Sequence, residues 1–438
     1  MTAILLKKDD VFHVMDPYYG GLWEFDKAGV KEFLKFIEIY KNEKVSIERL
    51  KERYSNIISE EIIDFTIKEK IPMETTYFPR VILENIDKAE NGIIVPPEVI
   101  LEVNRKCNYR CPWCYIPSME EQEETLTIKE IEEQIIIPFV KKGAKCWTLT
   151  GGEPSVTFER TLEIVKMINE YTKEMHCEEA DISILTNGYK FAEYAEAYYK
   201  AGVSKVQFQL SSPYEEEEIK LRNPRGGINS FEHVIEGVKK GNELGYYTSI
   251  NMVVSPEKNI DGIKDMIILS DKIKVDMLRI TPVVMAGMAK ENGICLDIEN
   301  YTKIRNNTKE GRELLKEDST LGIYLPHFDL ENDRPMRCGL GYIDFYIDYK
   351  GVVFPCNNLI DDQLRCDPGT IKEFTGPEIW FDSKMLNRFR DYLNTNIGEE
   401  CGACEYRGMC VGNCIARCWQ RYGKFDLLEM PEKCFKTI

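Results

Sequence analysis

Histidine is scarce in this chain. There are four, His13, His176, His233 and His327, and no two are spaced to ligate one metal ion. A histidine metal centre therefore has no local basis. Positive charge is also short: 57 Lys and Arg against 74 Asp and Glu leave a net charge of −17. Phosphate binding needs clustered Lys and Arg, so this balance argues against nucleic acid and anionic membrane as partners, while it suits a basic peptide. No apolar run is long enough to span a bilayer. Residues 1–10 hold no apolar stretch followed by a cleavage site, so the reading is a cytoplasmic protein without a signal peptide. Internal repeats and low-complexity tracts are absent. What the chain has in excess is cysteine, 15 in 438 residues. Cytosolic proteins seldom keep structural disulfides, so the excess points to metal.

The length allows two or three domains. Residues 1–85 read as a small module. Short apolar runs at 11–15 and 22–25 flank Gly20-Gly21, a hairpin turn. Asp26 can cap a helix carrying Val30, Phe33, Leu34 and Ile37 at helical spacing, and Ser46 and Ser59 open two more helical segments. Pro72, Pro79, Pro96 and Pro97 punctuate a linker. Over 98–300, apolar runs at 99–103, 146–150, 182–186, 206–210, 249–254 and 275–281 alternate with amphipathic stretches. The first of these stretches opens on Thr127 with Glu130 three residues on, a capping box. Six βα units imply an α/β fold with a parallel sheet closing into a partial (β/α)6 TIM barrel, whose ligands sit at the carboxyl ends of the strands. Residues 301–337 form a bridging region with a helix at 301–315. Residues 338–438 are rich in cysteine.

Directly after the first barrel strand comes Cys107-x₃-Cys111-x₂-Cys114, with Tyr115 behind it. Three thiolates on one short loop can hold three irons of a [4Fe–4S] cube and leave the fourth iron open. Structural zinc needs four protein ligands, and no fourth Cys or His lies nearby. Gly151-Gly152-Glu153-Pro154 follows the second strand; its glycines admit a ligand to the backbone, and its carbonyls and carboxylate can accept from an ammonium group. Thr186-Asn187-Gly188 ends the third strand and could contact a ribose or carboxylate, or merely close a loop.

In this order and context, the three motifs resemble those of the radical S-adenosylmethionine (SAM) enzymes. The resemblance implies that Cys107, Cys111 and Cys114 hold a [4Fe–4S] cluster whose open iron chelates SAM, and that reduction yields a 5′-deoxyadenosyl radical. It places Tyr115 near the adenine, Gly151, Gly152 and Glu153 at the SAM amino group, and Asn187 near the ribose or carboxylate. At the fourth strand many relatives read Ser-x-Asp-Gly, whereas this chain reads Gln209-Leu210-Ser211-Ser212. Gln209 and Arg222 are assigned to SAM, with Arg225 close enough to compete for the carboxylate.

The C-terminal cysteines resemble a SPASM domain with two auxiliary [4Fe–4S] clusters, three clusters in all. Its interleaving implies that Cys338, Cys356 and Cys414 bind the first, and Cys401, Cys404, Cys410 and Cys434 the second. The first is one ligand short: Cys366 or another group fills the place, or the site is open to substrate. Cys146, Cys177, Cys295 and Cys418 read as ordinary buried thiols. The N-terminal module, a hairpin before three helices, resembles a winged-helix RiPP recognition element, which grips the leader of a ribosomally made peptide.

Together the parts resemble the peptide maturases of the streptide and sactipeptide types. The implied activity is an intramolecular cross-link, either carbon–carbon such as Lys–Trp or a Cys thioether, in a precursor peptide with a leader, served by a small electron donor such as flavodoxin or ferredoxin. A sulfatase-type formylglycine maturase is the rival enzyme, and a non-catalytic peptide-binding protein with structural clusters the rival from another class. No catalytic residue stands out. Asp329, Glu331, Asp333 and Asp344 are candidate proton acceptors, and the acidic run 215–218 reads as a solvated helix face.

Overall fold

The computed structural model describes residues 4–8, 11–16, 21–43, 47–54, 58–68, 95–116, 124–256, 258–330, 334–335, 338–395 and 414–423. Pro72, Pro79, Ser46, Cys401, Cys404, Cys410 and Cys434 lie outside these residues.

Three antiparallel strands open the chain: β1 (Ile4–Lys8), β2 (Val11–Asp16) and β3 (Gly21–Phe25), in that spatial order. The expected hairpin is β2–β3; β1 was not foreseen, because Ile4-Leu5-Leu6 is a continuous rather than alternating run. Helices Lys27–Glu43, Ile47–Tyr54 and Glu60–Lys68 follow. Asp26 caps the first, its Oδ1 accepting from Gly29 N at 2.6 Å. That helix buries Val30, Phe33, Leu34 and Phe36, and Phe33 stacks on Phe25 with centroids 5.0 Å apart.

The rest of the fold is organised by one nine-stranded sheet. All six expected strands are present: β4 (Glu98–Asn104), β5 (Cys146–Gly151), β6 (Asp181–Thr186), β7 (Val203–Gln209), β8 (Tyr247–Val254) and β9 (Met277–Pro282). They are parallel and adjacent in sequence order. Three short strands extend the set. β10 (Gly322–Tyr324) joins β9, β13 (Asp344–Ile347) joins β4 in parallel, and β14 (Val353–Phe354) pairs antiparallel with β13. A separate pair, β11 (Phe328–Asp329) and β12 (Arg334–Pro335), lies between them in sequence.

Strand side chains alternate between two faces. Val99, Leu101, Trp147, Leu149, Ile182, Ile184, Val206, Phe208, Ile250, Leu278 and Ile280 form one core with Ile131, Ile164, Phe191, Val234 and Ile267 of the intervening helices. The opposite face is polar, with Glu98, Glu102, Thr148, Thr150, Gln209, Asn251, Arg279 and Asp344. The Thr127 capping box forms as expected, with Thr127 and Glu130 each taking the other's backbone N–H.

The sheet is curled. β9 and β13 stand six strands apart, roughly 29 Å in a flat sheet. Yet the Arg279 guanidinium on β9 pulls down the pKa of Asp344 on β13, and Tyr324 on β10 feels the Asp344 charge. The two ends therefore approach across the polar face, as in a partial barrel with its helices outside. Among the described residues, no helix is long and apolar enough to cross a membrane.

Candidate active site at the carboxyl ends of the strands

Asn104, the last residue of β4, fixes where the cysteine loop begins. Its carbonyl accepts from Gly152 N at 2.9 Å, and the Lys106 carbonyl accepts from Glu153 N at 2.7 Å. Its Nδ2 donates to the Glu153 carbonyl and to Thr157 Oγ1, at 3.1 and 2.6 Å. The approach is close because of the glycines: a Cβ on Gly151 would lie 2.1 Å from the Asn104 carbonyl oxygen, and one on Gly152 would lie 2.1 Å from that of Lys106. Gly151 also takes φ +139°, which L side chains rarely adopt.

Glu153 is fully buried. Its Oε1 accepts from Ser155 N and Thr186 Oγ1, both at 2.9 Å, and its Oε2 from Asn187 N at 2.6 Å. The carboxylate thus ties the end of β5 to the end of β6. What the motif offers outward is chiefly backbone. Asn187 turns back to the cysteine loop, its Nδ2 3.0 Å from Asn108 Oδ1 and 3.8 Å from Cys107 Sγ.

The loop is pinned from two further sides. Along one edge it runs antiparallel to residues 222–225: Arg110 N donates to Asn223 O and Arg225 N to Asn108 O, with a bridge between Tyr109 and Pro224. At its end, Met288 N donates to Cys114 O at 2.9 Å. A Cβ on Gly287 (φ +49°) would lie 2.5 Å from the Tyr115 carbonyl oxygen, so this glycine admits the loop. Tyr115 is half-buried, and burial raises its hydroxyl pKa.

Burial pushes the Cys107 and Cys114 thiols up to about 12 and raises Cys111 as well; the Arg222 guanidinium pulls all three down. Three such thiols ionise together only when cationic charge joins them, which is what a metal cluster supplies. Among the described residues, no three His, Cys, Asp or Glu side chains stand close enough to hold a single ion. A four-iron cube takes its thiolates at its corners, further apart than one ion does.

Arg222 is 6% exposed, and its Nε lacks a hydrogen-bond partner, as does Glu218 Oε1 3.7 Å away. Arg225, the competing residue, is exposed. Asn104 Oδ1, Asn108 Nδ2 and Ser211 Oγ are also buried without partners. Arg222 and Glu218 thus face each other as an ion pair without a hydrogen bond, and the buried polar atoms of Asn104, Asn108 and Ser211, each costing about 1–3 kcal/mol when left without a hydrogen bond, leave donors and acceptors for a polar ligand at the strand ends. The residues present therefore fit a cluster with a polar ligand beside it. Gln209 is tied into a ladder that the sequence did not reveal: Asn251 Nδ2 donates to its Oε1 at 3.1 Å, and Thr281 Oγ1 donates to Asn251 Oδ1 at 2.5 Å.

One expectation fails here. Helix Glu215–Arg222 is not wholly solvated, since Glu218 is fully buried. Its Oε2 accepts from Ser211 N at 2.7 Å and Ser212 N at 2.9 Å. Those amides at the end of β7 draw the carboxylate inward.

A second thiol group lies in the C-terminal part. Cys338, Cys356 and Cys414 share one apolar cluster with Leu340, Tyr342, Ile343, Leu359 and Phe389. Cys366 belongs instead to the main core, beside Ser383 and Asp367, so it does not join them. Cys177 and Cys295, expected to be buried, are exposed. Cys146 is partly buried and faces Asp181; the Cys418 side chain lies outside the described residues.

Residues 101–269 match the model of the Radical SAM superfamily. A probable GTP 3′,8-cyclase of Pyrococcus horikoshii is 31% identical over 38% of this chain and 49% of its own length, so the chain spans about half the length of this relative. The PqqA peptide cyclase of Bradyrhizobium diazoefficiens is 24% identical over 73% of this chain and 81% of its own. Among solved structures, Streptococcus suis SuiB bound to S-adenosylmethionine superposes with a TM-score of 0.63 at 16% identity, covering 99% of this chain and 100% of that one. This likeness concerns fold. The chain thus carries a radical SAM domain at residues 101–269, and Cys107, Cys111 and Cys114 lie inside it.

Proposed function

We propose that this protein is a radical SAM maturase that installs an intramolecular cross-link, carbon–carbon or Cys thioether, in a ribosomally made precursor peptide. The carrying observation is the pair of thiol groups, Cys107, Cys111 and Cys114 at the strand ends and Cys338, Cys356 and Cys414 in the C-terminal cluster, with the polar face of the curled sheet in the same fold. Cys107, Cys111 and Cys114 would hold a cluster that supplies radical chemistry, and Cys338, Cys356 and Cys414 would hold a second one able to take up an electron. When bound, the SAM cluster and its ligand supply a 5′-deoxyadenosyl radical that takes a hydrogen atom from the peptide.

The chain's own residues bind and orient. Cys107, Cys111 and Cys114 hold the cluster. The backbone at Gly151 and Gly152 receives the SAM amino group, with Glu153 bracing that turn. Arg222, buried, ion-paired with Glu218 and without a hydrogen bond at Nε, receives the carboxylate; Tyr115 flanks the adenine; Asn187 and Gln209 line the ribose side. The three strands and three helices at the N-terminus serve as a winged-helix recognition element for the leader, and the Cys338 group as the first auxiliary site of a SPASM domain. Two relatives support a peptide substrate by what they are: a PqqA peptide cyclase, and SuiB, also solved bound to its precursor peptide SuiA.

The test is anaerobic incubation of the reconstituted, reduced protein with SAM and a panel of synthetic candidate precursor peptides. Loss of two hydrogens within one peptide is expected. Conversion of a Cys or Ser to an aldehyde would favour a formylglycine maturase. No 5′-deoxyadenosine, with or without peptide, would refute an enzyme.

A further inference from the structure

The side chains of Asp329, Glu331 and Asp333 lie outside the described residues. Glu102, on the polar face of β4 and 1% exposed, is a carboxylate to which the proposed function gives no task. Four donors converge on it. Its Oε2 accepts from Arg105 Nε at 2.9 Å, from Arg105 Nη2 at 2.7 Å and from Tyr349 N at 3.4 Å, and its Oε1 accepts from the Tyr346 hydroxyl. A carboxylate accepts about four hydrogen bonds. Glu102 therefore has little left to offer a substrate, and its use lies in what it joins.

The two segments it joins are far apart in sequence. Arg105 stands two residues before Cys107. Its neighbours Asn104 and Lys106 are held by the turn after β5, where their carbonyls accept from Gly152 N and Glu153 N. Tyr346 lies on β13, and Tyr349 lies in the turn between β13 and β14. That turn is braced by Asp348, whose Oδ1 accepts from Lys350 N at 2.9 Å and Val352 N at 2.8 Å. The Arg105 guanidinium packs on the Tyr349 ring, 4.5 Å from its centre. β14 ends at Phe354, two residues before Cys356. The backbone ladder between β4 and β13 runs from Glu98 and Asp344 to Leu101 and Ile347. Beyond it the contact passes to Glu102 and Arg105. One carboxylate thus ties the approach to Cys107 to the hairpin that leads into Cys356.

Arg105 is 7% exposed, so this is a buried ion pair. Such a pair is a weak source of stability, because apolar residues of similar volume often replace it without loss. What directional bonds supply, and apolar contact does not, is a fixed register. We propose that Glu102 is a positioning residue: it locks residues 105–107 onto the hairpin 344–354 and so fixes the first thiol group relative to the second. On the radical SAM reading above, the site that supplies radical chemistry and the site able to take up an electron are thereby held in one register. No proton or electron passes through Glu102 itself.

The test replaces the whole network by apolar side chains, Glu102→Leu with Arg105→Met and Tyr346→Phe, so that neither charge nor hydroxyl is left buried alone. The variant is expected to melt near the native temperature. Hydrogen exchange read by mass spectrometry, before reconstitution and without SAM or peptide, is expected to quicken by about 10-fold or more at 105–116 and at 344–356 together, with β6, β7 and β8 exchanging at native rates. Native exchange in either segment overturns the proposal. So does a fall in melting temperature with faster exchange throughout the sheet, which would make the network a source of stability alone. After reconstitution, iron per chain is expected to stay native while cross-linked product per 5′-deoxyadenosine falls by about 10-fold or more. A native ratio overturns the functional half of the proposal. A native enzyme that modifies no peptide refutes the cross-linking reading instead, and the exchange result still decides Glu102.

Discussion

Replacing Gly152 by alanine tests whether the cysteine loop is placed by backbone contact. The added Cβ would lie 2.1 Å from the Lys106 carbonyl oxygen and 2.5 Å from its carbon. Ordinary contact begins at 3.4 Å, so the two backbones must part by about 1.3 Å. Gly152 has no positive φ, so the effect is steric. Overpacking of this kind costs about 1–3 kcal/mol. The hydrogen bonds from Gly152 N to Asn104 O and from Glu153 N to Lys106 O lengthen, at about 1 kcal/mol each. A total of roughly 3–5 kcal/mol follows. The functional effect is larger, because Lys106 precedes Cys107 and a site tolerates only about 0.5 Å of displacement. Thermal unfolding before reconstitution reads the stability loss, and iron per chain with the resonance spectrum afterwards reads the site. Gly227→Ala is the control: its φ is +69°, but nothing lies within 4 Å of its Cβ. The control is expected to keep its iron. Native iron content and an unchanged melting temperature in Gly152→Ala would refute the placement argument.

Glu153→Gln sets an amide N–H against one of three donors; with the side-chain oxygen kept toward Ser155 and Thr186, the clash falls on Asn187 N. A loss of about 1–3 kcal/mol is expected by denaturant titration, and a neutral result would mean the carboxylate does not brace the strand ends. Glu218 gives a pH test. Burial pushes its carboxyl up to about 7 from 4.5, so the folded chain holds the proton more tightly than the unfolded one. Its contribution to stability is fully present below about 4.5 and is lost as pH rises through about 7. Glu218→Gln should flatten that decline in melting temperature, and an unchanged slope would contradict it.

Much of the fold was legible because its signals are local. The six parallel strands bury Val, Ile, Leu and Phe on one face, and the apolar runs announced them. The position of the Cys107 loop at the end of the first barrel strand was legible from the apolar run before it. Strands β10, β13 and β14 are two to four residues long, too short for periodicity to show, and the sheet, not their own sequence, decides them. The meeting of Cys338, Cys356 and Cys414 spans 76 residues and followed only from a family resemblance, never from spacing. Glu218 misled because four successive glutamates look solvated; the amides of Ser211 and Ser212 outweigh that pattern. Gly287 and Asn251 carried no sequence signal, since each matters through a distant strand end.

The central claim is that Cys107, Cys111 and Cys114 hold a cluster that cleaves SAM. The direct measurement is 5′-deoxyadenosine released by the reduced, reconstituted protein under anaerobic conditions, set beside Cys111→Ala. The native protein is expected to form it and the variant to form none. Equal turnover by the two proteins would contradict the cluster assignment.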